Sequence, residues 1–202
     1  MSGLRIEAQG RITFMSKLHT NGKRQDLGLY SSSGFERGAS KLKQICWFLV
    51  SNTLIDTWLP GSGWRRIVLR AFGATIGTGV VLKPRIRVKF PWRLHVGAHS
   101  WIGESVWIDN LDTVRIGHNT CVSQGTYFCT GSHDWSHLRF SLITKPIEIG
   151  DGCWIAAFCK ISPGCVMEDG AVLSINGIGK GRLRENTIYL TANQQRARTL
   201  RH

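Results

Sequence analysis

A six-residue repeat in this 202-residue chain limits the folds that it can adopt. From Ile149 to Leu173, every sixth residue is aliphatic or Met, and the residue four positions later is small. The repeat positions are Ile149, Ile155, Ile161, Met167 and Leu173, and the small residues are Cys153, Cys159, Cys165, Ala171 and Gly177. Three shorter runs have the same step: Ile76, Leu82 and Val88; Val96, Ile102 and Ile108; and Ile116, Val122 and Phe128.

A period of six fits neither an α-helix nor a continuous strand, which repeat every 3.6 and 2 residues. A short strand followed by a tight turn, repeated many times, does produce it. The aliphatic residue then points into a narrow core, and the small residue fits where the chain turns a corner. Coils of this kind stack at about 4.8 Å and bury their faces only against their neighbours. The pattern predicts an all-β solenoid over residues 74–178.

The repeat breaks between Phe128 and Ile149, where the segment HDWSHLRFSLITKPIE occupies residues 133–148. Irregular loops of this length inside a compact domain are usually functional or disordered. We therefore expect residues 133–148 to form a loop that leaves the solenoid.

The sequence before the solenoid divides into two parts. Residues 1–40 are polar and show no convincing period, which indicates an N-terminal arm. Residues 41–73 predict a helical segment beside the solenoid, with Ser40 as the N-cap and Pro60-Gly61 between its two helices. We expect its tryptophans to be partly buried: Trp47, Trp58 and Trp64.

Residues 179–202 carry six Lys or Arg against Glu185 alone and predict a basic C-terminal tail. The net charge of +13 suits nucleic acid, anionic lipid or a phosphate-bearing ligand. No interleaving of aromatic and basic residues typical of RNA-recognition motifs is present, so no nucleic-acid partner is expected. The N-terminus lacks the apolar run of a signal peptide, and residues 45–59 are too short to span a bilayer. We expect a reducing, cytoplasmic setting.

Four segments add a closer resemblance: FERGASK at 35–41, FGATIG at 72–77, Pro-Trp at 91–92 and CTGSHDW at 129–135. With the repeat, they resemble the hexapeptide-repeat acyltransferases, in particular the colanic acid biosynthesis branch, which is related to galactoside and nodulation-factor acetyltransferases. The resemblance implies a left-handed parallel β-helix and a homotrimer with its sites between subunits. It also implies acetyl-CoA as the donor. The implied acceptor is a sugar hydroxyl of an exopolysaccharide or its lipid-linked precursor, which would allow peripheral contact with the inner face of a membrane.

The same resemblance makes His133 the catalytic general base, because this family places its histidine at the start of the loop. It also implies that Asp109 and Asn110 contact the acceptor, although Asp and Asn favour corners for their own sake. Asp134 is a further substrate-site candidate, which either orients His133 or bonds its own backbone.

For the donor, the resemblance implies that Trp154 and Ala157 lie against the CoA arm and that Lys180 and Arg196 meet its phosphates. The alternatives are a tryptophan of the solenoid wall and a solvated basic tail. Residues 174–181 and 191–196, SINGIGKG and TANQQR, depart from the family pattern. That departure supports the alternative function, a non-catalytic hexapeptide-repeat scaffold or binding protein without CoA.

Two further interpretations have weaker support: reactive or metal-binding cysteines, and a metal site made of histidines. The repeat cysteines fill small corner positions, where Cys acts as a small hydrophobe rather than a nucleophile or ligand. His133 and His137, with His118 or His95, do not have the spacing of the γ-class carbonic anhydrase site on this fold. No metal is therefore expected.

Overall fold

The computed structural model describes residues 4–6, 12–14, 25–32, 34–190 and 198–199. Most of residues 75–189 form a left-handed parallel β-helix of about six coils. Each complete coil contributes one short strand to each of three parallel sheets, which form the faces of a triangular prism. The predicted fold class is therefore confirmed.

The three faces are defined by their strands, in chain order. The first face contains Thr75–Ile76, Leu94–Val96, Val114–Ile116, Ile147–Ile149, Val166–Met167 and Arg182–Leu183. The second face contains Val81–Leu82, Trp101–Ile102, Cys121–Val122, Trp154–Ile155, Val172–Leu173 and Thr187–Tyr189, with Arg198–Thr199 antiparallel at its end. The third face contains Arg87–Val88, Trp107–Asp109, Tyr127–Cys129, Lys160–Ile161 and Ile178–Gly179.

The repeat positions fill the interior of the prism, as the period predicts. Every aliphatic residue from Ile76 to Leu173 in the repeat is buried, and strand partners align them across coils, as with Phe128 opposite Ile161. Cys153, Cys159 and Cys165 are buried at corners as free thiols. Their small side chains allow adjacent coils to approach.

The solenoid continues past residue 178, where the sequence analysis ended it. Gly179 takes the inward position of its strand, so the aliphatic pattern disappears there although the coil does not. A Cβ at Gly179 would come within 3.0 Å of Ile161 Cδ1 and 3.2 Å of Cys165 Sγ. A larger side chain would therefore require Ile161 or Cys165 to shift, which explains glycine at this position. The first half of the expected basic tail continues the solenoid with the strands Arg182–Leu183 and Thr187–Tyr189.

The helical segment covers the open end of the first coil. It contains Lys41–Val50, a π-helical turn Ser51–Ile55, and Ser62–Ala71. The Ser40 hydroxyl accepts a hydrogen bond from the Lys43 amide, so Ser40 is the N-cap. Trp47, Ile55 and Leu69 pack into the same core as the first coil, which closes its apolar end. Of the three tryptophans expected to be partly buried, Trp58 is instead 70% exposed.

The arm before residue 41, expected without regular structure, contains two antiparallel strands, Leu4–Ile6 and Ile12–Phe14, and a short 3₁₀ helix, Leu27–Leu29. Each strand alternates apolar and polar residue types, a weak signal over only three residues. The segment at 25–30 reaches the loop, where the Asp26 amide donates to the Leu138 carbonyl at 2.8 Å.

Three of the connections from the third face to the first carry extra residues, so one corner of the prism holds all the interruptions of the repeat. They are the 3₁₀ helix Pro91–Arg93, residues 110–113, and residues 130–146. The last is the extruded loop, with antiparallel strands Gly131–His133 and Leu142–Thr144. It starts and ends earlier than expected, because Ile147 and Ile149 are buried in a strand paired with Val114 and Ile116.

Candidate active site

The candidate site lies at the corner between the third and first faces, where the extruded loop leaves the prism. Asp109 and Cys129 occupy the last positions of neighbouring strands and are direct partners in the sheet. His133 follows four residues later and pairs with Leu142 across the loop. The fold thus makes direct neighbours of Asp109 and Cys129, which are 20 positions apart in sequence.

The imidazole ring of His133 is held on several sides. It stacks on Phe140 with the ring centroids 4.3 Å apart and meets the Tyr30 ring edge-on at 5.6 Å. Its Nδ1 lies 2.8 Å from the carbonyl oxygen of Phe140. A carbonyl oxygen only accepts hydrogen bonds, so Nδ1 carries the proton of the neutral ring and Nε2 keeps its lone pair. The loop therefore fixes the tautomer that can accept a proton at Nε2.

Asp109 belongs to a polar cluster on the third face. Its carboxylate lies 3.0 Å from the Lys89 ammonium and accepts a hydrogen bond of 3.1 Å from the Tyr127 hydroxyl. Burial, followed by the hydrogen bond with Cys129 and the charge of Asp109, raises the pKa of Tyr127 well above its usual range. Tyr127 therefore stays protonated and donates to the carboxylate.

A cleft of about 300 Å³ adjoins this cluster. The first helix and the π-helical turn form one wall, with Phe48, Asn52 and Asp56, and the third face forms the other. On that face, the Arg87 guanidinium lies over the Trp107 ring at 4.5 Å, and Asp109 lines the cleft beside them. Tyr127, the partner of Trp107 in the next coil, packs against the same ring with the centroids 4.7 Å apart. The cleft therefore presents a partly covered aromatic side chain with donors and acceptors around it, a combination that suits a polar ligand such as a sugar.

The residues expected to meet CoA lie elsewhere on the prism. Trp154 is half exposed on the second face, where its indole N–H donates to the Ser123 hydroxyl at 3.1 Å. Ala157 is buried in the turn that follows that strand, and Lys180 is exposed between the strands Ile178–Gly179 and Arg182–Leu183. Arg196 lies outside the described residues. In a triangular prism, the second face is opposite the corner that carries His133. A single chain therefore does not bring the residues expected to meet CoA close to His133.

The chain is similar to several acetyltransferases in sequence or in fold. No protein-family model matches the chain. The chain is 37% identical over 151 residues to a protein of Escherichia coli (strain K12) named colanic acid biosynthesis acetyltransferase WcaF. The match covers 74% of this chain and 82% of that protein. A maltose O-acetyltransferase from Clostridium difficile 630 superimposes with a TM-score of 0.68 at 18% identity, covering 80% of this chain and 88% of that one. A hexapeptide-repeat acetyltransferase from Vibrio cholerae, complexed with acetyl-CoA, gives a TM-score of 0.66 at 22% identity, covering 80% and 85%.

The chain belongs to the hexapeptide-repeat acetyltransferases. The resemblance seen in its sequence is confirmed.

The sequence predicts that Asn110 contacts the acceptor, but in this acetyltransferase the residue lies in the interior of the corner. Its side chain is fully buried. Its Oδ1 accepts from the Phe90 amide at 2.9 Å, and its Nδ2 donates to the Phe90 carbonyl at 2.7 Å. The amide thus joins two successive insertions at the corner, and a contact with a substrate in the cleft would require those bonds to break. The structure gives Asn110 a structural position behind the site.

Asp134 forms a turn within the loop rather than orienting the histidine. Its Oδ1 accepts hydrogen bonds from the Ser136 amide at 3.0 Å and the Ser136 hydroxyl at 2.6 Å. The Ser136 hydroxyl is the main cause that lowers the pKa of the Asp134 carboxyl. His133 Nδ1 instead donates to the backbone carbonyl of Phe140, so the structure does not show Asp134 orienting the ring. The bond to Ser136 fits the open alternative, an Asp that stabilises its own turn.

The cysteines and histidines of the described residues do not form another reactive centre. Burial raises the pKa of Cys153 and Cys165 to about 11, so both are neutral thiols near pH 7. Cys129, the cysteine nearest the site, lies with its Sγ 3.1 Å from the Gly131 carbonyl. Across residues 25–32 and 34–190, no three His, Cys, Asp or Glu side chains are grouped so that they could hold a metal ion.

Four residues around the site were not predicted from the sequence: Tyr127, Lys89, Tyr30 and Phe140. Tyr127 could have been found, because it lies 20 residues after Trp107, the length of one coil in this part of the repeat. Lys89 follows the first strand of the third face and could have been aligned with Asp109 in the same way. Tyr30 and Phe140 carry no such signal, since both lie outside the repeat.

Proposed function

We propose that the protein transfers the acetyl group of acetyl-CoA to a sugar hydroxyl of an exopolysaccharide or of its lipid-linked precursor. Membership of the acetyltransferase family supports the reaction class. The observation that carries the assignment of the base is the hydrogen bond from His133 Nδ1 to the Phe140 carbonyl, which leaves Nε2 as the proton acceptor. The Trp107 cleft next to Asp109 supports a sugar as the acceptor.

In the proposed reaction, His133 Nε2 takes the proton of the acceptor hydroxyl as its oxygen attacks the thioester carbon. A backbone N–H near the cleft stabilises the oxyanion that develops. The C–S bond then breaks, the acetyl ester stays on the sugar, and the CoA thiolate recovers the proton from the imidazolium. No acetyl-enzyme forms along this route.

A homotrimer is part of the proposal. The outward positions of the second face form an apolar column that includes Trp101 and Trp154, both more than half exposed. Exposed apolar columns of this kind mark interaction surfaces, and closed cyclic symmetry is the usual way to cover them. A neighbouring subunit would also bring a second face, with Trp154 and Ala157, toward the His133 corner. Lys180 and Arg196 are proposed to meet the CoA phosphates.

We also propose a cytoplasmic location, where acetyl-CoA is made, with peripheral contact at the inner face of the membrane if the acceptor is lipid-linked. Among the described residues, no helix is long and apolar enough to cross a bilayer.

The test uses the full-length protein with acetyl-CoA and a panel of nitrophenyl glycosides, and measures CoA release and ester formation. His133→Asn keeps a donor for the Phe140 carbonyl but has no base, so kcat should fall by roughly 10²–10⁴ while CoA affinity stays unchanged. His137→Ala is the matched control and should keep most of the activity. Loss of turnover in Cys129→Ser with retention in His133→Asn would instead indicate a covalent route. A protein that binds no acetyl-CoA would support the scaffold alternative.

A further inference from the structure

The outer surface of the helical segment is apolar where a solvent-facing helix should be polar. Trp47 and Ile55 of this segment are buried against the prism, whereas Leu42, Ile45 and Leu49 point outward and are more than half exposed. These three residues are spaced by three and four positions, so they form one stripe along the helix. Phe48, 66% exposed, extends the stripe toward the cleft.

Basic side chains border this stripe. Arg37 and Lys41 line a groove shared with Ile45 and Phe48. On the other side of Phe48, Arg87 lines the cleft of the third face. All three basic residues are exposed. We name the four apolar and three basic residues the docking surface: Arg37, Lys41, Leu42, Ile45, Phe48, Leu49 and Arg87.

The charge of residues 41–178 is also unevenly distributed along the prism. Residues 41–103 contain ten Lys or Arg and one acidic residue, Asp56. Residues 104–178 contain four Lys or Arg and eight Asp or Glu. The capped end of the prism is therefore strongly positive and the coils that follow are negative. An anionic plane would attract the capped end and repel the acidic coils of residues 104–178, which favours an orientation with the docking surface toward that plane. Residues 179–202 are basic again, with six Lys or Arg against Glu185, and form a second region that such a plane would attract.

We infer that the docking surface binds an anionic phospholipid bilayer, with the apolar stripe inserted at the headgroup boundary and the basic residues on lipid phosphates. Apolar residues on one helix face with flanking Lys and Arg are the features of an interfacial helix. A second copy of the chain is the competing occupant, and the molecular mass of the variants below tests it. The inference deepens the proposed function, on which it rests only for the location of the acceptor.

Vesicle binding tests the inference separately from acetyl transfer, with full-length protein and neither acetyl-CoA nor acceptor present. The probes are vesicles of phosphatidylcholine alone and of phosphatidylcholine mixed with phosphatidylglycerol. The wild type should float with the mixed vesicles and bind the neutral ones weakly. Lys41→Gln with Arg87→Gln should lower partitioning onto mixed vesicles roughly 25-fold, since each basic residue contributes about fivefold. Lys160→Gln, an exposed residue of a later coil, is the control and should bind nearly as the wild type does.

A second set of variants, with its own control, tests the apolar stripe. Ile45→Glu with Leu49→Glu should reduce binding to mixed vesicles more than tenfold, because two side chains no longer enter the apolar boundary. Ile178→Glu changes an equally exposed isoleucine outside the surface and should leave binding nearly intact. Thermal unfolding and molecular mass are measured for each variant. The inference is overturned if the wild type does not float with mixed vesicles. It is also overturned if the docking-surface variants bind mixed vesicles as well as their controls Lys160→Gln and Ile178→Glu do. A third refuting result is that Ile45→Glu with Leu49→Glu separates the subunits, which would make this face a subunit interface.

Discussion

Replacing Asn110 with alanine tests whether this residue holds the corner together or contacts the acceptor. In the structure, its amide is fully buried and bonds both the N–H and the C=O of Phe90. Alanine leaves the buried Phe90 N–H without a partner, while the Phe90 carbonyl keeps the hydrogen bond from the Arg93 amide at 3.0 Å. A buried polar group that loses its partner costs about 1–3 kcal/mol, so Asn110→Ala should lower the unfolding free energy by roughly that amount. Water that enters the space would favour the lower half of that range.

Urea unfolding of purified Asn110→Ala, followed by tryptophan fluorescence, measures this loss. Asn52→Ala is the control, because Asn52 is exposed and its Nδ2 bonds only the Phe48 carbonyl within its own helix. That substitution should change stability by no more than about 0.5 kcal/mol. An Asn110→Ala protein that unfolds like the wild type but needs more acceptor for half-maximal rate would refute the structural position and return Asn110 to the binding site.

Three further outcomes are expected. Tyr127→Phe removes the hydroxyl that donates to Asp109, and kcat/KM for the acceptor should fall roughly tenfold while acetyl-CoA binding, measured by calorimetry, stays constant. Arg65→Met should lower the unfolding free energy by about 3 kcal/mol, because the buried guanidinium bonds the carbonyls of Thr57, Leu59 and Gly61, whereas Lys160→Met should be nearly neutral in the same urea titration. Burial raises the pKa of Cys153 and Cys165 from 9.0 to about 11, so their neutral thiols favour the fold below pH 9 and that contribution is lost as pH rises toward about 11. Native thiol titration near pH 8 should therefore label the exposed Cys46 first, and rapid labelling of Cys153 or Cys165 would contradict this reasoning.

The six-residue repeat predicted the prism because each coil is a local unit. Every aliphatic position from Ile76 to Leu173 meets its counterpart one coil away, so a pattern of residue types suffices to place it. Ser40 as the N-cap also follows from local chemistry, since a hydroxyl next to the first turn satisfies an otherwise free amide. Gly179 shows the limit of the pattern. The residue at this position is small because the side chains of Ile161 and Cys165, which are distant in sequence, occupy the space next to it.

The site depended on contacts that no local pattern contains. The sequence alone, with its family resemblance, determined the β-helix, the loop and His133 as the candidate base. Only the tertiary structure decided that the backbone carbonyl of Phe140, rather than Asp134, holds the ring of His133. It also decided that Asn110 is buried behind the cleft that Asp109 lines. The physical reason is that a hydrogen-bond partner is chosen by distance in three dimensions, and the loop conformation that sets this distance lies outside the repeat.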